Sequence, residues 1–139
     1  AKPVPVNTRY FKNPRRDTAL VSLAGPLSNF LLAAVLLFAR QFLIFSPVMP
    51  VYVLGLMVHY AALMSIGLGV FNLIPVPPLD GSKILFSFLP WQHAAKFAKY
   101  EQYIQFGLLL LLFVGVLDIP MDFCISHIYS WLSALVTVI

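Results

Sequence analysis

Charge is what this sequence has least of. Asp, Glu, Lys and Arg make up 10% of its 139 residues, whereas a water-soluble domain uses roughly a quarter to cover its surface. None of the four occurs between Arg40 and Asp80, a stretch well beyond the about 20 apolar residues a helix needs to cross a bilayer. Those two absences exclude a soluble globular domain. The apolar runs are also continuous, without the alternation of a membrane β-barrel, so the spans are helical. Cysteine occurs once, as Cys124, which excludes an internal disulfide and leaves the redox compartment unindicated. No G-x-S-x-G, Walker or glycine-rich nucleotide motif is present. The three histidines form no HxxxH pair, so the chain holds no zinc-binding helix of its own.

What remains is strongly apolar: 60% hydrophobic residues and a mean hydropathy of +0.89. The expected fold is an all-α membrane protein with about four transmembrane helices and a proline-broken segment at 72–81, residues 1–139 forming one membrane domain. The spans run from about Thr18 to Ala39, Val51 to Ile74, Ile104 to Leu117 and Cys124 to Ile139. Pro47 and Pro50 mark the first turn. The first residues, AKPVPVNTRYFKNPRRD, are polar and proline-containing, with no apolar core of the signal-peptide kind. Residues 1–17 read as a cytoplasmic or interfacial segment and 82–103 as a cytoplasmic or interfacial loop. In that loop Trp91, Phe97, Tyr100 and Tyr103 interleave with Lys96 and Lys99, the pattern of an element lying along the membrane surface.

The net charge of +4 is modest, and the basic residues fall outside the spans. They read as topological anchors in the lipid bilayer, with no nucleic-acid partner. Lys2, Arg9, Lys12, Arg15 and Arg16 precede the first span, and Lys83, Lys96 and Lys99 follow the second. The positive-inside rule then puts the N-terminus and the 80–103 loop in the cytoplasm, with the 40–50 and 118–123 turns outside. Arg40 dissents and is expected to snorkel to the outer interface.

Two faces carry small and polar residues. Ser22, Gly25, Asn29 and Ala33 share one side of the first span, and Ala62, Ser65, Gly69 and Asn72 one side of the second. Small residues let helices approach closely, and amides hydrogen-bond across the contact. Pro26 removes a bond to the Ser22 carbonyl and is expected to bend the first helix or mark its entry. By the residues alone, AGPLSN is a packing seam, and His59 in mid-span is an interhelical hydrogen-bonding residue.

NLIPVPPLDG, residues 72–81, ends the second stripe. Pro75, Pro77 and Pro78 cannot donate backbone hydrogen bonds and force their predecessors towards extended conformations, so the helix must unwind. Unwound backbone at membrane depth is tolerated where it is buried in protein or lines a watered cavity, which marks a candidate site. Asp80 has two readings. It can form an Asp-Gly turn and cap a helix starting near Ser82. If it is submerged, its cost of roughly 2.5–3.5 kcal/mol calls for a functional or paired role.

AGPLSN resembles the A-G-P-x-x-N signature, and NLIPVPPLDG the N-x-x-P-x-P-x-x-D-G signature, of the site-2 proteases, which are intramembrane zinc metalloproteases. The basic N-terminal stretch is also similar to that of the short bacterial members. The resemblance extends from Ala1 to about Leu85. It implies that Asp80 is the third zinc ligand and that Asn72 positions substrate or contacts an oxyanion. It also implies that Gly25, Pro26 and Asn29, with Pro75, Pro77 and Gly81, pack or line the active site. The family's HExxH is missing from this sequence, and the resemblance places it on an earlier helix. The expectation is therefore a C-terminal portion of a longer protease, inactive alone, in the bacterial cytoplasmic membrane with its active site towards the cytoplasm. Its implied partners are the HExxH-bearing segment of the same protein, which would supply the histidine ligands for zinc, and transmembrane protein substrates. The alternatives are a non-catalytic scaffold or pseudoprotease, and a channel or transporter whose broken helices line an ion path.

Overall fold

A computed structural model describes residues 13–139, all helices and connections. Six helices follow in order: α1 Pro14–Leu43, α2 Met49–Leu73, α3 Asp80–Phe88, α4 Trp91–Lys99, α5 Glu101–Val114 and α6 Asp118–Val138. Helices α1, α2 and α6 are each long and apolar enough to cross a membrane, and α5 is a shorter apolar helix. The all-α membrane architecture is thus present. The stretch read as a surface loop at 82–103 is mostly helical, as α3 and α4. Of the N-terminal segment 1–17, residues 1–12 lie outside the described residues.

Helix α1 starts with proline in its first turn, where the missing N–H costs no intrahelical bond. It then runs unbroken past Pro26, which is fully buried. Pro26 therefore sits mid-helix and does not mark an entry. The α1–α2 hairpin forms the centre of the bundle, and both expected seams are at its interface. Ala33 and Ala62 are completely buried, and Ser22, Ser65 and Gly69 are buried beside them. Ser65 Oγ donates to the Asn29 carbonyl across the interface at 2.7 Å. A Cβ on Gly69 would stand 2.6 Å from the Phe30 ring, and one on Gly55 3.2 Å from Leu43 Cβ. Lipid tails are as apolar as leucine, so what favours association here is close van der Waals contact and the hydrogen bond, not apolar burial.

Helix α6 closes the third side. Ile125 reaches Gly67, where an added Cβ would lie 3.6 Å away. The Tyr129 hydroxyl and His59 Nδ1 are 3.0 Å apart, fulfilling the interhelical reading of His59. Val136 joins Leu37 and Ala62 in the buried cluster. This register begins near the α3 end of α2 and ends near the α1–α2 turn, so α6 runs alongside α1 and opposite to α2. The layout inferred from charge, with the 118–123 turn on the same side as the 40–50 turn, is corrected by these contacts. Arg40 is half-buried, and its Nε has no hydrogen-bond partner among the described residues.

Helix α5 ends in a Schellman motif. Gly115 has φ +80, its N–H bonds to the Leu112 carbonyl at 3.2 Å, and Val116 N–H bonds to that of Leu111 at 3.2 Å. Much of the apolar surface stays uncovered, with Leu31, Phe42 and Phe113 between 68% and 91% exposed. That is the surface of a protein whose surroundings are lipid or further helices.

Candidate functional site

The three-proline segment unwinds as its chemistry requires. Ile74 leaves the helix at ψ 126, and the chain stays irregular to Leu79. Pro77–Pro78 is a cis peptide inside a tight turn closed by Leu79 N–H on the Val76 carbonyl at 3.0 Å. The Leu79 carbonyl accepts both Ser82 N–H, at 3.1 Å, and Ser82 Oγ, at 2.7 Å. Backbone groups released by the prolines are thus partly re-bonded locally, and Pro77, Leu79, Gly81 and Ser82 are buried.

Helix α3 then starts at Asp80 itself. Leu79 is the N-cap, and no side-chain capping bond forms. Asp80 is therefore not the cap of a helix starting near Ser82; it sits in the first turn, where the helix dipole favours a carboxylate. Its Oδ1 accepts from Lys83 Nζ at 3.3 Å, with the aspartate side chain 32% exposed. Its Oδ2 faces α1, where a Cβ on Gly25 would come within 3.2 Å of it. The glycine of AGPLSN and the aspartate of PPLDG, 55 positions apart in the chain, are neighbours in space. A Cβ at position 25 would press this carboxylate back by a few tenths of an ångström.

Gly81 fixes the other side. A Cβ there would collide with the Leu73 carbonyl and lie 2.5 Å from that of Ile74. So α3 rests directly on the end of α2, and Asp80 is wedged between α2 and α1. Pro26 is buried next to Gly25, and Asn29 is half-buried one turn further on. Asn29 takes part through its backbone carbonyl, which accepts from Ser65; among the described residues the amide expected to bridge the seam makes no such bond. Asn72 is half-buried in the last turn of α2, and Pro75 is exposed just inside the break. Lys83 is the contact that sequence reading missed. Its signal was the i,i+3 spacing to Asp80 on a helix that opens with the acid.

As a metal centre the arrangement is partial. Among the described residues no group of three His, Cys, Asp or Glu side chains converges, and residues 1–12 contain none of these types. His59 is engaged with Tyr129 in mid-bundle, and His127 Nδ1 lies 2.9 Å from the Phe123 carbonyl. A catalytic zinc takes three protein ligands. The residues present fit one carboxylate of such a set and not the set itself.

Residues 48–115 match the family model described as Peptidase family M50. The chain is also 37% identical over 118 residues to the Bacillus subtilis protein named "Putative zinc metalloprotease YwhC", a match covering 82% of this chain and 53% of that one. The chain belongs to peptidase family M50, the site-2 proteases. Two further relatives are similar along most of its length. The Mycobacterium tuberculosis (strain H37Rv) protein named "Putative zinc metalloprotease Rip2" is 36% identical over 113 residues, 81% of this chain and 42% of that one. A Methanocaldococcus jannaschii protein named as a zinc metalloprotease is 29% identical over 126 residues, 88% of this chain and 35% of that one. The chain thus spans about half the length, or less, of these curated relatives. No solved structure matches it.

Proposed function

We propose that this chain is part of a zinc-dependent intramembrane endopeptidase, and that Asp80 is its contribution to the metal. The observation that carries the reading is the meeting of Asp80 with Gly25. Two separated motifs are folded so that a single carboxylate is held on a built surface beside unwound backbone. Zinc, when bound, supplies a Lewis acid that lowers the pKa of its water towards 7. The remaining ligands and the base are assigned to an HExxH segment outside residues 1–139.

The chain's own residues hold and orient. Gly81 seats α3 on α2, Gly25 admits the carboxylate against α1, and Asn72 is assigned to substrate positioning or an oxyanion contact. Substrates are proposed to be transmembrane proteins cut near the cytoplasmic side of a bacterial membrane. The unwound segment at 74–79 provides irregular backbone along which a locally unfolded substrate can pair. Residues 1–139 alone are proposed to be inactive and to hold no stoichiometric zinc.

The test is Asp80→Asn in the full-length protein, which keeps size and shape while removing the charge. Zinc content by elemental analysis and cleavage of a membrane substrate should both fall by at least about tenfold, the low end for a disturbed metal shell, with helicity unchanged. Full zinc occupancy and wild-type cleavage in D80N would leave Asp80 a packing residue and sink the ligand assignment.

A further inference from the structure

Two grooves flank the start of α1; neither is lined by Asp80 or Gly25, and Lys83 in the first also pairs with Asp80. One, of about 310 Å³, lies among Arg15, Thr18, Lys83, Phe86, Trp91 and Ala94. The other, of about 480 Å³, runs down the opposite flank, lined by Arg16, Leu20, Leu23, Ile84 and Phe88. Arg15 and Ser87 line both. Each groove therefore has a cationic mouth and an apolar floor. In the second, Arg16 to Leu23 covers seven residues, about 10 Å of helix axis, so the apolar wall descends from the charged rim along a membrane-spanning helix. Phe88 at its edge is 82% exposed and Trp91 at the edge of the first is 76% exposed. Among the described residues at the start of α1 and along α3 and α4, the cations Arg15, Arg16, Lys83, Lys96 and Lys99 outnumber the anions Asp17 and Asp80.

We propose that these grooves form one binding site for an anionic phospholipid, its phosphate held between Arg15, Arg16 and Lys83 and an acyl chain lying along Leu20, Leu23 and Phe88. Charge complementarity favours this occupant over a zwitterionic lipid. A phosphate accepts from several guanidinium and ammonium donors at once, and basic pockets at the end of membrane helices bind such headgroups. The apolar floor excludes a free phosphate as the natural occupant, because it offers that ion nothing.

Trp91 provides the readout. The protein and its Trp91→Phe variant are reconstituted in phosphatidylcholine vesicles containing brominated phosphatidylglycerol or brominated phosphatidylcholine. The difference in emission between the two proteins isolates quenching of Trp91. The expected result is at least fivefold stronger apparent binding of the brominated anionic lipid. Arg15→Gln with Arg16→Gln should bring that selectivity close to one, each cation near the surface being worth about fivefold, while Arg15→Lys with Arg16→Lys keeps most of it. Equal quenching by the two lipids overturns the proposal. So does selectivity that persists in the double Gln variant, which would reduce the effect to general attraction at a basic surface. If the double variant loses its helical circular dichroism, Arg15→Gln alone carries the test, since Arg15 lines both grooves, and an unchanged selectivity there is equally fatal. None of these measurements uses proteolysis.

Discussion

Gly25 and Gly81 bracket one carboxylate, and they do so in different ways. The Gly25 position faces a side-chain oxygen, which can yield by the few tenths of an ångström that a methyl demands. The Gly81 position faces backbone carbonyls of Leu73 and Ile74, which cannot yield without moving the end of α2. Gly81→Ala should therefore destabilise the protein by about 1–3 kcal/mol, the range for overpacking a tight contact, visible as a lower thermal transition in detergent. Gly25→Ala should leave that transition within about 1 kcal/mol yet displace Asp80, and zinc retention in the full-length protein should drop. Equal stability losses in the two variants would show that the distinction between side-chain and backbone neighbours is wrong. This asymmetry was not visible in the sequence, where both glycines stood simply as members of motifs. The start of α3 was misplaced for a related reason. Asp is a good cap in isolation, but here its oxygens are engaged by Lys83 and faced by Gly25, and α3 begins at the acid.

Paired helices are where the sequence was most legible. A charge-free stretch of this length leaves few alternatives to a spanning helix, and small residues at helical spacing locate its contact face. Ser22, Ala33, Ala62, Ser65 and Gly69 are all buried as that spacing requires. What spacing could not supply was the partner of each position, because Phe30 over Gly69 and Ser65 on the Asn29 carbonyl depend on the offset of two antiparallel helices. Ser65→Ala should cost about 0.6 kcal/mol, the average for an interhelical hydrogen bond in a membrane bundle. Gly69→Leu should cost several-fold more, because the Phe30 ring already fills the space. Unfolding of both variants by a denaturing detergent would rank them, and the reverse order would contradict the packing described for the hairpin.

The direction of α6 lies at the scale of the whole molecule, and there the sequence was silent. No Lys or Arg follows Lys99, so the positive-inside rule had nothing to act on when the last turn was assigned to the outer face. Contacts decide instead: Ile125 lies at Gly67, Tyr129 meets His59, and Val136 shares a buried cluster with Leu37 and Ala62. Cysteines placed at Leu37 and Val136, in a Cys124→Ser background, should form a crosslink in membranes under mild oxidation. A pair at Leu37 and Asp118 should not. Efficient crosslinking of the second pair and failure of the first would reverse α6.

Because Gly81 leaves no slack against the end of α2, the backbone of the aspartate cannot drift independently of that rod, while its carboxylate stands against α1 at Gly25. Any sliding or splaying of one rod past the other is geared straight into the position of a single oxygen atom. Prising the hairpin open would therefore part the carboxylate from its glycine without any other element having to move.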